Sequence, residues 1–230
     1  MDTTWTRGRA IAGGGVTIDD KRAGGEKAVD PVSKAFSNPI PPSVAAVEEF
    51  LQKWGTLEKY RLQESSLTLL FQSLCPRNET IEHVLLKVSA LNDFYSTNIY
   101  DTHSVARHIR SAAPDDRIAS GDLKLVNELA KVTIRNKVKN FYSFASKYCN
   151  HHQPEKFPIY DSYVDKMLVH FKRKDQFASF LKPDLKRYDR FVEIIKSFQR
   201  FYSLEKFTLR QLDIYLWLAG KEAFKGGSAA

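Results

Sequence analysis

The sequence predicts an all-α fold, a compact multi-helix globule of about nine or ten helices, on three observations. Apolar residues recur near the helical period almost throughout residues 43–225. No run of alternating β-branched residues competes with that period. Residues that cap or open helices stand ahead of the apolar faces. A repeat at a solenoid period is missing from the chain, which argues for a globule rather than a stacked array.

The elements follow in order. Ser43 is placed to cap a first helix with Val44, Val47, Phe50, Leu51 and Trp54 on its core face, and Asn78 to cap one carrying Ile81, Val84, Leu85, Val88 and Leu91. Later helices are expected to start near Asp101 or Thr102, Gly121, Asn136, Asp161, Pro183 and Thr208, the last with Gln211 completing a capping box. The final helix, with Leu209, Leu212, Ile214, Tyr215, Trp217 and Leu218, reads as core.

At 230 residues and 43% hydrophobic, the chain supports one sizeable core. Residues 1–42 hold six of the eleven glycines and end in Pro-Ile-Pro-Pro, the composition of a flexible arm; 226–230 read as a linker-like tail. The arm has six basic and five acidic residues, so nearly all of the net +8 belongs to the helical domain of 43–225 and favours a polyanionic partner. Two cysteines, Cys75 and Cys149, sit in apolar helical patterns, which argues against a disulfide framework and for a reducing, cytoplasmic setting. No membrane span, signal peptide or acid-free transit peptide is expected. Adjacent His151 and His152, and His103 and His108 five apart, do not match metal-ligand spacing, and no cofactor motif is present. A monomer is expected.

The stretch richest in potential chemistry runs from Lys137 to Asp161. Read as a helix, Val138, Phe141, Tyr142, Ala145, Tyr148 and Cys149 form an apolar stripe, with Lys139, Ser143, Ser146, Lys147 and Asn150 on a polar side. Residues 124–147 carry Lys124, Lys131, Arg135, Lys137, Lys139 and Lys147 against the single acid Glu128, a basic patch. Asp161 then precedes Val164, Met167, Leu168 and Phe171 as an N-cap, where the helix terminus favours an ionised carboxylate that can stabilise a developing cation.

The segment Val84-Leu-Leu-Lys-Val-Ser-Ala-Leu-Asn-Asp-Phe-Tyr-Ser-Thr-Asn-Ile99, followed by a basic turn, a helix and Pro158-Ile-Tyr-Asp161-Ser-Tyr-Val, resembles the core of the helix-hairpin-helix DNA glycosylase superfamily. The endonuclease III and 8-oxoguanine glycosylase branches are the nearest models, and the likeness covers roughly residues 80–170. The resemblance implies an enzyme that flips a modified or damaged base out of DNA and excises it, as in DNA repair, with Asp161 stabilising the sugar cation. It also implies a lysine nucleophile for a lyase step, with Lys139 the positional match and Lys147 its rival on the same face. DNA contacts are expected from Tyr95, Ser96 and Asn98 in the polar turn, from Lys131, Arg135 and Lys137 in the hairpin, and from Ser162 and Tyr163 beside the aspartate.

The superfamily's hairpin is glycine-rich, of the type Leu-Pro-Gly-Val-Gly, so that backbone amides approach a phosphate. Here the matching stretch is Leu129-Ala-Lys-Val-Thr-Ile-Arg-Asn-Lys-Val138, and no glycine occurs between Gly121 and Gly220. Phosphate contact falls to side-chain cations instead. With only two cysteines, no iron–sulfur cluster is expected. The competing expectation is a non-catalytic nucleic-acid-binding protein of the same fold, in genome or phage defence.

Overall fold

The computed structural model describes residues 38–224, so the glycine-rich arm through residue 37 and the tail 226–230 lie outside the described residues. The fold is all-α. Among the described residues ten α-helices follow in order: α1 (Val44–Thr56), α2 (Glu58–Leu69), α3 (Ile81–Tyr95), α4 (Thr102–Ser111), α5 (Asp115–Ser120), α6 (Lys124–Ala130), α7 (Tyr142–His152), α8 (Ser162–Asp175), α9 (Tyr188–Phe201) and α10 (Leu209–Phe224). A π-helical turn, Leu70–Leu74, extends α2, and a 3₁₀ turn, Lys182–Lys186, leads into α9 where Pro183 marked a start. None of these helices is long and apolar enough to cross a membrane.

Helix starts follow local hydrogen-bond chemistry. Ser43 Oγ accepts from Ala46 N at 3.1 Å, Asp101 Oδ1 from Ser104 N at 2.9 Å and Asp161 Oδ1 from Tyr163 N at 2.9 Å. Thr208 and Gln211 form the expected reciprocal box. Asn78 does not cap α3; Thr80 does, through His83 N. The amide of Asn78 is consumed elsewhere: Oδ1 accepts from buried Lys87 Nζ at 2.6 Å, and Nδ2 donates to Asp115 at 2.6 Å. An ammonium without water requires such acceptors, and the carbonyls of Cys75 and Arg77 supply two more.

Residues 131–140 are not helical, although a helix was expected to start near Asn136. They form an antiparallel hairpin, β1 (Lys131–Ile134) and β2 (Lys137–Asn140), in the register Lys131↔Asn140 to Ile134↔Lys137. Arg135 and Asn136 make the two-residue turn with φ of 48° and 61°. Positive φ at both central residues is what the right-handed twist of a tight hairpin demands, and Asn tolerates it. Val132, Thr133, Ile134 and Val138 supply the β-branched residues. Each strand is only four residues long, too short to register in a helical-period window.

Consequently α7 begins at Tyr142 rather than near Asn136. It is also buried almost all round, much of its polar side included. Ser146, Lys147, Asn150, His151 and His152 are buried with the apolar stripe, and each polar group requires a protein partner. Helix α10 packs against α1 and α8. At Gly220 a Cβ would stand 3.0 Å from the Tyr163 carbonyl and from Met167 Cγ, which sets the close α8–α10 approach. Ahead of α1, Pro42 is buried and the Ile40 carbonyl accepts from Tyr215 Oη at 3.2 Å.

Candidate active site

Two stretches far apart in shape but close in sequence are stitched together at the centre. Ser143 Oγ donates to the Tyr160 carbonyl at 3.0 Å, and Tyr160 N donates to Ser146 Oγ at 3.0 Å. These bonds fix the register of α7 against the turn that ends in Asp161. The Asp161 carboxylate, in the N-cap of α8, therefore faces the side chain of Lys147: Nζ lies 3.8 Å from Oδ2.

Lys147 is 4% exposed. Its ammonium donates to Ser143 Oγ at 2.5 Å and lies 5.1 Å over the Tyr95 ring. Burial pushes its pKa down from the ordinary lysine value; Asp161 and Asp213 oppose that, and Arg210 adds to it. Desolvation thus favours the neutral amine, the form with a nucleophilic lone pair.

Around this pair opens a cavity of about 250 Å³, at the small end of ligand pockets. Its wall is aromatic at one end: Trp54 stacks on Tyr60 at 5.8 Å, and Trp217 meets Tyr60 edge-on at 5.2 Å. Along one wall α10 contributes Arg210, Asp213, Ile214 and Trp217 at one-face helical spacing. Arg210 is paired with Glu64 of α2 at 2.6 Å. Asp213 Oδ2 accepts from Ile159 N at 2.8 Å, and burial raises the Asp213 carboxyl to about 7. Such an arrangement can hold a flat, partly polar ligand against a desolvated amine and a carboxylate. No three His, Cys, Asp or Glu side chains converge to hold a metal ion among the described residues.

Of the residues singled out from sequence, Asp161, Lys147, Tyr95 and Ser96 line this cavity. Tyr95 Oη pairs with His151 Nε2 at 3.0 Å, and Ser96 ends α3 in the left-handed conformation with φ of 48°. His151 and His152 are pushed down to about 3 by burial, so both are neutral rings at physiological pH.

Lys139 is not part of the site. It lies exposed on β2, outside the helix on which the resemblance put it, because that strand runs to Asn140 and α7 begins only at Tyr142. Lys131, Arg135 and Lys137 share that exposed hairpin, and Asn98, with φ of 57°, is exposed in the turn after α3. Ser162 is exposed at the start of α8 and Tyr163 is half-buried behind it; neither reaches the cavity.

Sequence reasoning missed Glu64, Arg210 and Asp213 and assigned Trp54 and Trp217 to the core. The available signal was the pair of charges at Arg210 and Asp213 on the apolar face of the last helix. Tyr100, the last residue of the polar turn that begins at Asn92, is 98% exposed. Its loop is pinned by Asn92, whose side chain bonds both the N–H and the carbonyl of Ile99.

Residues 46–156 match the model of the family described as HI_0787_N, an N-terminal domain. An uncharacterised protein of Haemophilus influenzae is 51% identical over 145 residues, covering 63% of this chain and 69% of its own length. The chain belongs to the HI_0787_N family. The matched span of the HI_0787_N domain includes Lys147 and stops short of Asp161, Arg210 and Asp213. No solved structure matches the chain.

Proposed function

We propose that this HI_0787_N family member is a DNA glycosylase of helix-hairpin-helix type, with Lys147 as nucleophile and Asp161 as the carboxylate that stabilises the sugar cation. The single observation that carries the reading is a buried amine, lowered in pKa by desolvation, 3.8 Å from an N-cap carboxylate at the wall of an aromatic-lined cavity. A flipped base stacks on aromatic side chains in such a cavity. As the C1′–N bond breaks, its electron pair leaves with the base, which takes up a proton. Asp161 offsets the positive charge on the sugar, and the neutral amine of Lys147 bonds to C1′, releasing its own proton. Opening of the sugar ring then gives a Schiff base that permits strand cleavage.

The surroundings suit a duplex. Exposed Tyr100 is of the residue type that fills the gap left by a flipped base. The hairpin's Lys131, Arg135, Lys137 and Lys139 are exposed cations, suited to phosphates without a glycine-rich nest. Strand β1 of that hairpin packs against α4, whose N-cap Asp101 follows Tyr100 in the chain. Two free, buried cysteines suit work in a reducing cytoplasm.

The test is base release from duplexes carrying a panel of modified bases, bulky and glucosylated ones included, followed by borohydride trapping. Base release together with a covalent adduct that disappears in Lys147→Ala supports the reading; abasic sites without any adduct leave a monofunctional enzyme. The second reading, a non-catalytic nucleic-acid-binding protein of the same fold in genome or phage defence, draws on the replacement of the glycine hairpin by a β-hairpin. Binding with no base release across the panel would favour it.

A further inference from the structure

Asp213 is unlike the other polar groups of the cavity. It is 2% exposed, yet only one of its oxygens is satisfied: Oδ2 takes the Ile159 N–H, while Oδ1 has no hydrogen-bond partner among the described residues. A buried carboxylate oxygen left without a partner costs stability, and such groups persist where a ligand completes them. One turn earlier, Arg210 has its Nε and Nη2 edge taken by Glu64 and its guanidinium 5.8 Å from the Trp54 ring, which leaves the Nη1 edge for a ligand. An acceptor and a donor thus stand at i and i−3 on the cavity face of α10, beside aromatic rings that hold a plane.

We propose that Asp213 and Arg210 form the reading edge of the cavity, selecting a planar heterocyclic base that presents an N–H donor to Asp213 Oδ1 beside an acceptor atom for Arg210. This rests on the cavity being a base pocket and adds the hydrogen-bond pattern it demands. Uracil, hypoxanthine and adenine carry such an edge. Fully N-methylated heterocycles such as 1,3-dimethyluracil and 1,3,7-trimethylxanthine stack equally well but offer no N–H. An unmet carboxylate discriminates against them because it stays desolvated and unpaired in their complexes.

The groups facing Asp213 define when this edge works. From α7 comes Lys147, from α3 Tyr95 with His151 bonded behind it, from α9 Tyr188, from α2 Glu64 through Arg210, and from the α8 cap Asp161. The imidazole of His151 is held neutral near pH 7 and the phenols of Tyr95 and Tyr188 are raised by burial. Asp213 itself, raised to about 7, is an acceptor above neutrality and carries a proton below it.

Trp54 and Trp217 line the cavity, so free bases are detectable by quenching of intrinsic fluorescence in the full chain, with no catalytic step required. Uracil, hypoxanthine and adenine are expected to quench and the methylated pair to bind about tenfold more weakly or worse, the worth of one hydrogen bond to a charged group. Asp213→Asn turns the free acceptor into an amide donor. It is expected to lose that preference and to flatten the fall in wild-type binding as pH drops from 8 to 6. Lys147→Met should retain that fall, which separates Asp213 from the lysine.

Equal binding of methylated and unmethylated bases, an Asp213→Asn profile identical to wild type, or no quenching by any base each overturns the proposal. If Asp213→Asn fails to fold by circular dichroism, the wild-type and Lys147→Met pH profiles and the methylated-base comparison still decide it. Base release from DNA without the N–H preference sinks this inference alone. An N–H preference without base release sinks the glycosylase reading alone.

Discussion

Lys147 Nζ and Asp161 Oδ2 lie 3.8 Å apart although their residues belong to different helices, and the serine bonds of α7 to the Tyr160 backbone hold them there. The pair is not a surface ion pair, because the lysine side chain is only 5% exposed. Its chemistry is set by competition between desolvation, which favours the neutral amine, and the carboxylate, which favours the ammonium.

The nucleophile prediction follows from this contact. Borohydride should trap a covalent protein–DNA adduct with wild type and with Lys139→Ala, and none with Lys147→Ala. A trapped adduct that survives Lys147→Ala and is lost in Lys139→Ala reverses the assignment and contradicts the geometry.

Asp161→Asn separates capping from catalysis. Asparagine caps a helix about as well as aspartate, so the unfolding free energy should change by less than about 0.5 kcal/mol. Base release should nonetheless be lost, since the amide carries no charge to offset the sugar cation. Calorimetry beside a base-release assay reads both; a large loss of stability would assign the residue to structure.

Asp213 makes folding depend on pH. Its folded pKa of about 7 lies above the ordinary 3.8, so the folded state holds a proton that the unfolded state has released between those values. Its contribution is favourable below the lower value and is lost as pH rises through the higher one. Asp213→Asn removes the ionisation cost while keeping an oxygen for Ile159 N–H. Its melting temperature should therefore exceed wild type at pH 8, by the equivalent of about 2–4 kcal/mol, and approach it at pH 5. A difference that is the same at both pH values refutes the assignment.

The duplex surface is testable by salt. Arg135→Ala should weaken binding to all duplexes about equally and reduce the slope of log affinity against log salt by about one. Tyr100→Ala should leave that slope unchanged while costing about 1–3 kcal/mol on DNA with a flipped or missing base.

Gly220→Val probes the α8–α10 contact that positions both Asp161 and Asp213. A Cβ there already meets the Tyr163 carbonyl at 3.0 Å, and the extra methyls force the helices apart. A loss of about 1–3 kcal/mol in chemical denaturation is expected, whereas an unchanged midpoint would show that the helices repack freely.

Helical class and most helix starts were legible because both depend on local rules. Ser43, Asp101, Asp161 and the Thr208–Gln211 box cap the helices they were expected to cap, through bonds spanning two or three residues. The β-hairpin was not legible, because four-residue strands around Arg135-Asn136 are too short to show a period and their pairing is decided between strands. Asn78 failed as a cap because Lys87, nine residues later, claims its amide inside the core.

By itself the sequence determined that Asp161 opens a helix and that the folded part is basic and helical, since capping and composition are properties of neighbouring residues. The tertiary structure alone decided that Lys147 rather than Lys139 meets that aspartate and that Arg210 and Asp213 complete the cavity. Burial and long-range packing place those groups, and the desolvation that sets their protonation exists only once distant helices have closed around them.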